Sequence, residues 1–204
     1  MINFKLQDLT FATITGFVVA FIFIDFLEAT KFANLAWHLF WIFPVLSVVC
    51  LWISELIGKK YNFIHQAAKF FLVGAFSAVI DIKVYQVSVW LLAFVLESSI
   101  ISKCISFLVS TVVKYGGNKI WVFEKNGKDG IKKEVVQFFT ITLIGMIIDV
   151  LTFYCATKFW QPTTISTEIW TEGSIIIAAL VAALWNFLGY KFWVFAKPKI
   201  QETK

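Results

Sequence analysis

Six apolar stretches, at 9–26, 37–57, 68–94, 101–121, 135–159 and 174–193, constrain this chain more than any other feature. A bilayer core about 30 Å thick needs roughly 20 helical residues to cross it, and each stretch approaches or exceeds that length. Little polar sequence remains to coat a soluble globule. Hydrophobic residues make up 59% and charged residues 15%, where soluble domains run near ~45–50% and ~25%. The 23 Phe and 9 Trp carry more apolar area than a chain this short hides in an interior of its own. Soluble enzymes and transcription factors are excluded, and the predicted fold class is all-α, a polytopic helical membrane protein with six transmembrane helices.

Charge placement orients the spans. All 18 basic residues are Lys, and they are spread along connections instead of gathered on one basic face, which argues against nucleic acid as a partner. Lys5, the segment around Lys59, Lys60 and Lys69, the polar loop at 125–133, and the tail with Lys197, Lys199 and Lys204 are Lys-rich. The alternate connections, with Asp25, Glu28 and Lys31, then Glu97 and Lys103, then Lys158, Glu168 and Glu172, are poorer. Both termini are therefore predicted cytoplasmic. The N-terminus runs into its apolar stretch without a small-residue cleavage site and reads as a first span, with Asp8 as its N-cap. Pro44 kinks the second span without preventing it from crossing. Cys50, Cys104 and Cys155 sit in apolar runs and His38 and His65 are isolated, so no disulfide, metal or cofactor is expected.

The later spans repeat. KFFLVGAFSAVID at 69–81 aligns without gaps to QFFTITLIGMIID at 137–149, bringing Asp81 onto Asp149 and Ser77 onto Gly145. KYGGNKIWVFE at 114–124 aligns to NFLGYKFWVFA at 186–196, bringing Lys119 onto Lys191 and Trp121 onto Trp193. A helical hairpin therefore occurs at 66–125 and again at 134–197. Each copy enters and leaves on one side, as parallel repeats about an axis along the membrane normal. The opening hairpin matches well only at Lys59 and Phe63. The expected organisation is an N-terminal hairpin and linker at 1–65, a four-helix domain at 66–197, and a tail at 198–204.

An ionised group near the bilayer centre costs about 2.5–3.5 kcal/mol, so an intramembrane charge points to function. Asp81 and Lys114 qualify. Counting about 18 Å from Lys69 and about 16 Å from Lys125 puts them at one depth, where they are expected to pair, either as structural glue or as a contact for substrate or coupling ion. Lys83 lies about 200° around the helix from Asp81 and faces elsewhere. The second-copy counterparts are Asp149 and Asn186. Lys119 and Lys191 stand near the cytoplasmic ends, with Trp121, Phe123, Trp193 and Phe195 expected at the interface. That pattern reads as a lipid-phosphate contact or as an ordinary basic and aromatic belt. On the outer side Trp37, Trp41, Trp90 and Trp170 read as anchors or as stacking faces for a sugar, and Trp160 as interfacial.

FFLVG followed by Asp81, NKIWVF at 118–123 and NFLGYKFWVF at 186–195 together resemble the GtrA-like family of small bacterial membrane proteins over about residues 66–197. In that family each hairpin ends with an Asn, apolar residues, then Asn-Arg before an aromatic. Asn118 and Asn186 match Asn positions, while Lys119 and Lys191 stand in place of Arg, and Lys114 and Tyr190 in place of Asn. The resemblance implies a non-enzymatic protein of the bacterial cytoplasmic membrane. It would translocate, or help to translocate, a polyprenyl-phosphate-linked sugar for cell-envelope polysaccharide synthesis or glycosylation. Its implied partners are that lipid, membrane lipids, a separate membrane glycosyltransferase and a further copy of itself. The substrate-contacting set is then Asp81, Lys114, Asn118, Lys119, Asp149, Asn186 and Lys191. Two alternatives remain at this point: an exchanger of small solutes or cations acting through Asp81 and Asp149, and an anchor for a glycosyltransferase.

Overall fold

The computed structural model describes residues 5–28, 33–94, 98–125, 127, 130–160, 162 and 166–196; the side chains of 25–28, 33–36, 98, 168, 169 and 172 are outside that description. The expectations for Lys31, Glu97 and the tail from Lys197, and for the charges of Asp25, Glu28, Glu168 and Glu172, lie outside the described residues. The fold is helical, with no strand among the described residues. The helices are α1 (Leu6–Glu28), α2 (Ala33–Gly58), α3 (Asn62–Leu91), α4 (Ser98–Gly117), α5 (Ile131–Phe159) and α6 (Thr167–Gly189). Helices α4 and α6 each run on into one π-helical turn, Asn118–Val122 and Tyr190–Val194.

Among the described residues five helices are long and apolar enough to cross a membrane; α3 is not one of them. It is the longest at 30 residues, about 45 Å, but Lys69, Asp81, Lys83 and Gln86 dilute its apolarity. Its packing supplies what its composition withholds. Val73 lies against Gly117 and Asp81 against Lys103, so α3 runs antiparallel to α4 and covers the depth that α4 covers.

The chain forms two compact units, Met1–Glu124 and Lys125–Lys204. The first joins the N-terminal hairpin to the first repeat. Helices α1 and α2 approach closely because Gly16 has no side chain: a Cβ there would overlap the Pro44 backbone. Beside this crossing the Ser47 hydroxyl donates to the Ala12 carbonyl at 2.7 Å. Phe17 on Phe40 and Phe23 on Phe43, with centroids 5.0 and 4.9 Å apart, extend the contact. A tight turn through Lys59 and Lys60 returns the chain into α3, where His65 Nδ1 meets the Ser54 hydroxyl at 3.2 Å.

One end of this unit is tied by charge. Lys69 of α3 lies 2.7 Å from Asp8 Oδ1 of α1. The Trp121 indole N–H donates to that same oxygen at 2.7 Å, and Phe11 stacks on Trp121 at 5.0 Å. At the rim Lys5 meets Glu124 at 2.8 Å. That hydrogen bond raises the Lys5 ammonium above its ordinary range and lowers the Glu124 carboxyl below its own. Asp8 is therefore no N-cap. The helix begins two residues earlier, at Leu6, which turns the Asp8 carboxylate inward to a buried ammonium. Trp121 and Phe123 are likewise not interfacial but buried, because α1 covers that end of the first repeat.

The second unit is the α5–α6 hairpin. Gly130 precedes helix α5 as its N-cap, with a φ of +77° in the left-handed conformation that glycine adopts without penalty. Lys125 pairs with buried Glu134 at 2.8 Å. Across the hairpin Gly189 packs on Ile141 and Gly145 on the Asn186 amide. The Trp185 and Trp170 indoles donate to the Ile141 and Ala156 carbonyls at 3.2 and 2.9 Å. Trp170 is thus held by α5, while Trp160 remains exposed.

Burial is inverted relative to a soluble protein. Ser102, Ser106, Ser174 and Asn118 are fully buried, whereas Trp90 is 76% and Phe94 86% exposed. Lipid solvates such apolar faces, and helix association then relies on small residues and on polar groups turned inward. This is a multi-pass membrane protein.

Candidate functional site

The polar residues of α4 recur every fourth position: Ser102, Ser106, Ser110, Lys114 and Asn118. That spacing sets them in a row that winds about 40° round the helix per step, and all but half-buried Lys114 are buried, while Leu108, Val109 and Val112 are exposed. Helix α3 opposes this face with buried Ser77 and half-buried Asp81. The second unit repeats the stripe as Ser174, Ala178, Ala182, Asn186 and Tyr190, all buried. The same stripe is therefore polar in the first hairpin and largely apolar in the second.

The hairpins also agree in geometry. Gly117 meets Val73, and Gly189 meets Ile141, which are equivalent positions of the aligned repeat. Each copy ends in a π-turn closed by a bond from the backbone N–H five residues on, Phe123 to Asn118 O at 2.9 Å and Phe195 to Tyr190 O at 2.8 Å. A π-turn accommodates an extra residue in the helix and so rotates the residues beyond it. This brings Val122 and Phe123 in one copy, and Val194 and Phe195 in the other, into the interior. Trp193, lacking an equivalent of the Asp8 and Phe11 cover, is half exposed as expected of an interfacial residue.

Asp81 pairs with Lys103 at 2.5 Å, not with Lys114. The two lysines lie on opposite sides of the Asp81 level, Lys103 about 9 Å and Lys114 about 7.5 Å away along α4. Lys69 sits over the Trp121 ring, 5.7 Å from its centroid, so it is level with Trp121 and not with Lys125. Stepping from the Val73–Gly117 contact, Asp81 falls opposite Val109, between Ser106 and Ser110. Lys114 lies about 7.5 Å closer to the Trp121 end, level with Ser77. The other Asp81 oxygen, Oδ1, is buried and forms no hydrogen bond among the described residues.

Lys114 is the notable charge of the seam. Lys69 and Lys103 each have a carboxylate within 4 Å, whereas Lys114 forms no ion pair among the described residues. Beside it Asn118 donates its amide to the Lys114 carbonyl at 2.7 Å and leaves Oδ1 buried and unbonded. In the second copy Asn186 Oδ1 is also buried and unbonded, its amide lodged where Gly145 leaves room. Asp149 is half-buried and forms no ion pair among the described residues. Tyr190 fills the Asn118 position with a ring stacked on Phe138 at 4.3 Å, its hydroxyl 2.6 Å from that of Thr142.

The two terminal lysines differ from one another. Lys119 is buried, its ammonium 3.4 Å from the Tyr115 hydroxyl and 5.7 Å from the ring centroid. Lys191 is half-buried between Phe187 and Phe192, at 5.7 and 5.8 Å. The structure thus gathers Asp81, Lys114 and Asn118 into one seam, with Lys119 at its end, and Asp149, Asn186 and Lys191 along the second hairpin. Lys103 as the partner of Asp81 and the serine ladder were missed from sequence, although the four-residue recurrence from Ser102 to Asn118 was there to find the serines.

No match was found among curated proteins or among solved structures. A family model does match: GtrA/DPMS, transmembrane domain, over residues 69–195. It begins at Lys69 and ends at Phe195, spanning both hairpins and leaving α1 and α2 outside it. With its repeated membrane hairpins and most of its length inside that match, this chain belongs to the GtrA/DPMS transmembrane-domain family.

Proposed function

We propose that this protein binds a polyprenyl-phosphate-linked sugar through its phosphate and moves it, or helps to move it, across the membrane for cell-envelope polysaccharide synthesis or glycosylation. Lys114 carries this reading: an ammonium on a membrane-crossing helix, with no carboxylate paired to it among the described residues. A charge so placed costs about 2.5–3.5 kcal/mol, and a phosphate drawn into the seam offsets that cost with a charge-assisted hydrogen bond. Asn118 Oδ1, buried and without a hydrogen bond among the described residues, is an acceptor for a sugar hydroxyl once the seam parts. Asp81, already neutralised by Lys103, does not repel the phosphate as a bare carboxylate would. The protein makes no bond and breaks none; its contribution is to lower the barrier for a charged headgroup in hydrocarbon.

Reconstitution into liposomes with a fluorescent polyprenyl-phosphate sugar tests this. Lys114→Met is expected to reduce translocation at least tenfold while leaving the folded yield intact, since it removes a stranded charge. Undiminished translocation by that variant overturns the reading. Binding without translocation by the wild type favours the accessory role beside a glycosyltransferase.

One observation favours a second reading. Asp149 is half-buried in a spanning helix without an ion-pair partner among the described residues, as expected of an exchanger's cation site. Cation-driven uptake abolished by Asp149→Asn, in liposomes free of the sugar lipid, would support it.

A further inference from the structure

Asp81 is the one carboxylate of the seam, since α3 and α4 carry no other acidic residue. It is surrounded by more oxygen than its pairing with Lys103 engages. Oδ2 takes the Lys103 ammonium, while Oδ1 is buried and forms no hydrogen bond among the described residues. The hydroxyls of Ser106 and Ser110, one on either side of the Asp81 level, interact with the same carboxylate. Each hydroxyl has a single proton, and each donates it to its own helix, to the Lys103 and Phe107 carbonyls at 3.1 Å. What they turn toward Asp81 are therefore lone pairs. Ser77, one turn from Asp81 on α3, likewise donates back, to the Val73 carbonyl at 2.8 Å.

Oxygen lone pairs that converge on a carboxylate repel one another unless positive charge lies among them, and hard cations are held by such oxygens. Ser106 and Ser110 are buried, so the protein and not bulk water must supply that charge. The Lys103 ammonium supplies it from one side only. Its side chain is 59% exposed and that of Asp81 24%, so the lysine can swing outward and an ion can enter by the same route. A divalent ion fits poorly: calcium takes about 6–8 oxygens, several of them from carboxylates, and no group of three His, Cys, Asp or Glu suited to a metal occurs among the described residues. One carboxylate with two hydroxyls balances a single positive charge.

We propose that Asp81, Ser106 and Ser110 form a site for a small monovalent metal cation such as sodium, and that Lys103 is its tethered competitor. Ammonium and ion occupy the carboxylate in turn. Either occupant leaves the seam with the same charge, so the exchange buries no additional charge and only moves a lysine side chain outward. Lys114, about 7.5 Å away along the axis, repels the ion and keeps the affinity modest. Joined to the phosphate reading above, the released Lys103 gives a travelling phosphate a second contact, about 16 Å along α4 from Lys114; the cation site itself does not depend on that reading.

The test follows thermal unfolding of the full chain in a maltoside detergent while sodium chloride replaces choline chloride at fixed ionic strength. The gain in stability with sodium gives an apparent dissociation constant by linkage. Wild type is expected to be stabilised by sodium and not by choline. Lys103→Met removes the competitor and should bind sodium at least tenfold more tightly, so that sodium restores stability lost with the ion pair. Asp81→Asn combined with Lys103→Met strands no charge, and should fold without a sodium response. Ser106→Ala with Ser110→Ala should weaken sodium at least fivefold while the ion pair remains. A wild type that responds alike to sodium and choline overturns the site. Equal sodium affinity in wild type and Lys103→Met overturns the competition, and a sodium response kept by the Asp81→Asn, Lys103→Met variant overturns the placement of the ion. Unchanged affinity in the serine variant overturns the part given to the hydroxyls. No lipid phosphate is present in the experiment, so its failure leaves the reading of Lys114 standing.

Discussion

Lys69 Nζ lies 2.7 Å from Asp8 Oδ1, with 5% and 6% of the two side chains exposed. The pair joins a helix outside the family domain to the first residue of that domain. Removing one partner of a buried pair leaves the other charged and desolvated, which costs about 3–5 kcal/mol. Asp8→Asn and Lys69→Met are each expected to lower unfolding stability in detergent by such an amount. The double variant should regain part of it, since two neutral groups carry no stranded charge. Strictly additive losses in a double-mutant cycle would show that the contact carries no coupling.

Asp81 and Lys103 should couple in the same kind of cycle, and Asp81 and Lys114 should not. Asp81→Asn leaves the Lys103 ammonium without its carboxylate, so folded yield should fall and recover in part with Lys103→Met. Folded yield recovered by Lys114→Met instead would restore the pairing that the sequence alone suggests.

The glycine contacts give a prediction that holds in both hairpins. A Cβ at Gly117 would lie 2.9 Å from Val73 Cγ1, and one at Gly189 2.7 Å from Ile141 Cδ1. Gly117→Ala and Gly189→Ala should each destabilise by about 1–3 kcal/mol through overpacking. Gly74→Ala, where nothing lies within 4 Å, should instead stabilise α3 by about 0.5–1 kcal/mol. Thermal unfolding of the three variants side by side checks this.

At the rim, Glu124 titrates below its ordinary value because Lys5 bonds its charged form, and Lys5 titrates above its own for the same reason. The pair's contribution is complete between the two unfolded-state values. It is lost in acid as pH falls through the lowered Glu124 value, and in base as pH rises through the raised Lys5 value. Both side chains are more than half exposed, so water and salt screen the pair and the effect is small. Glu124→Gln should flatten this part of the stability profile at both extremes.

Much of the architecture was legible because it is written in lengths and repeats. Apolar runs set the helices, and the alignment of 69–81 with 137–149 set the repeated hairpin, in which the structure places Val73 and Ile141 against equivalent glycines. Rotation and register could not be read. The π-turns at Asn118–Val122 and Tyr190–Val194 turn Phe123 and Phe195 inward, and no propensity marks such a turn. Depth counted from Lys125 missed by a helical turn, and depth alone does not separate Lys103 from Lys114 as the partner of Asp81. Asp8 looked like a cap because its true partner, Lys69, is remote in sequence and meets it only when α1 packs on α3.

Helix α3 supplies a test of topology. Its polar centre sets it apart from the five helices apolar enough to cross, yet its register with α4 requires it to cross. Single cysteines in place of Lys60 and Phe94, in a variant lacking the native thiols, should react with a membrane-impermeant reagent from opposite faces. Labelling of both from one face would remove α3 as a span.

Lys114, in the proposed mechanism, holds the phosphate of a polyprenyl lipid inside the α3–α4 seam. Solid-state NMR of the reconstituted protein, with nitrogen labelled at lysine and a bound polyprenyl-phosphate sugar, measures the phosphorus–nitrogen dipolar coupling directly. The expected coupling corresponds to a charge-assisted contact, with about 3 Å between ammonium nitrogen and phosphate oxygen, and disappears in Lys114→Met. Bound lipid whose phosphorus couples to Lys119 or Lys191, or to no lysine, while Lys114 stays silent would contradict it.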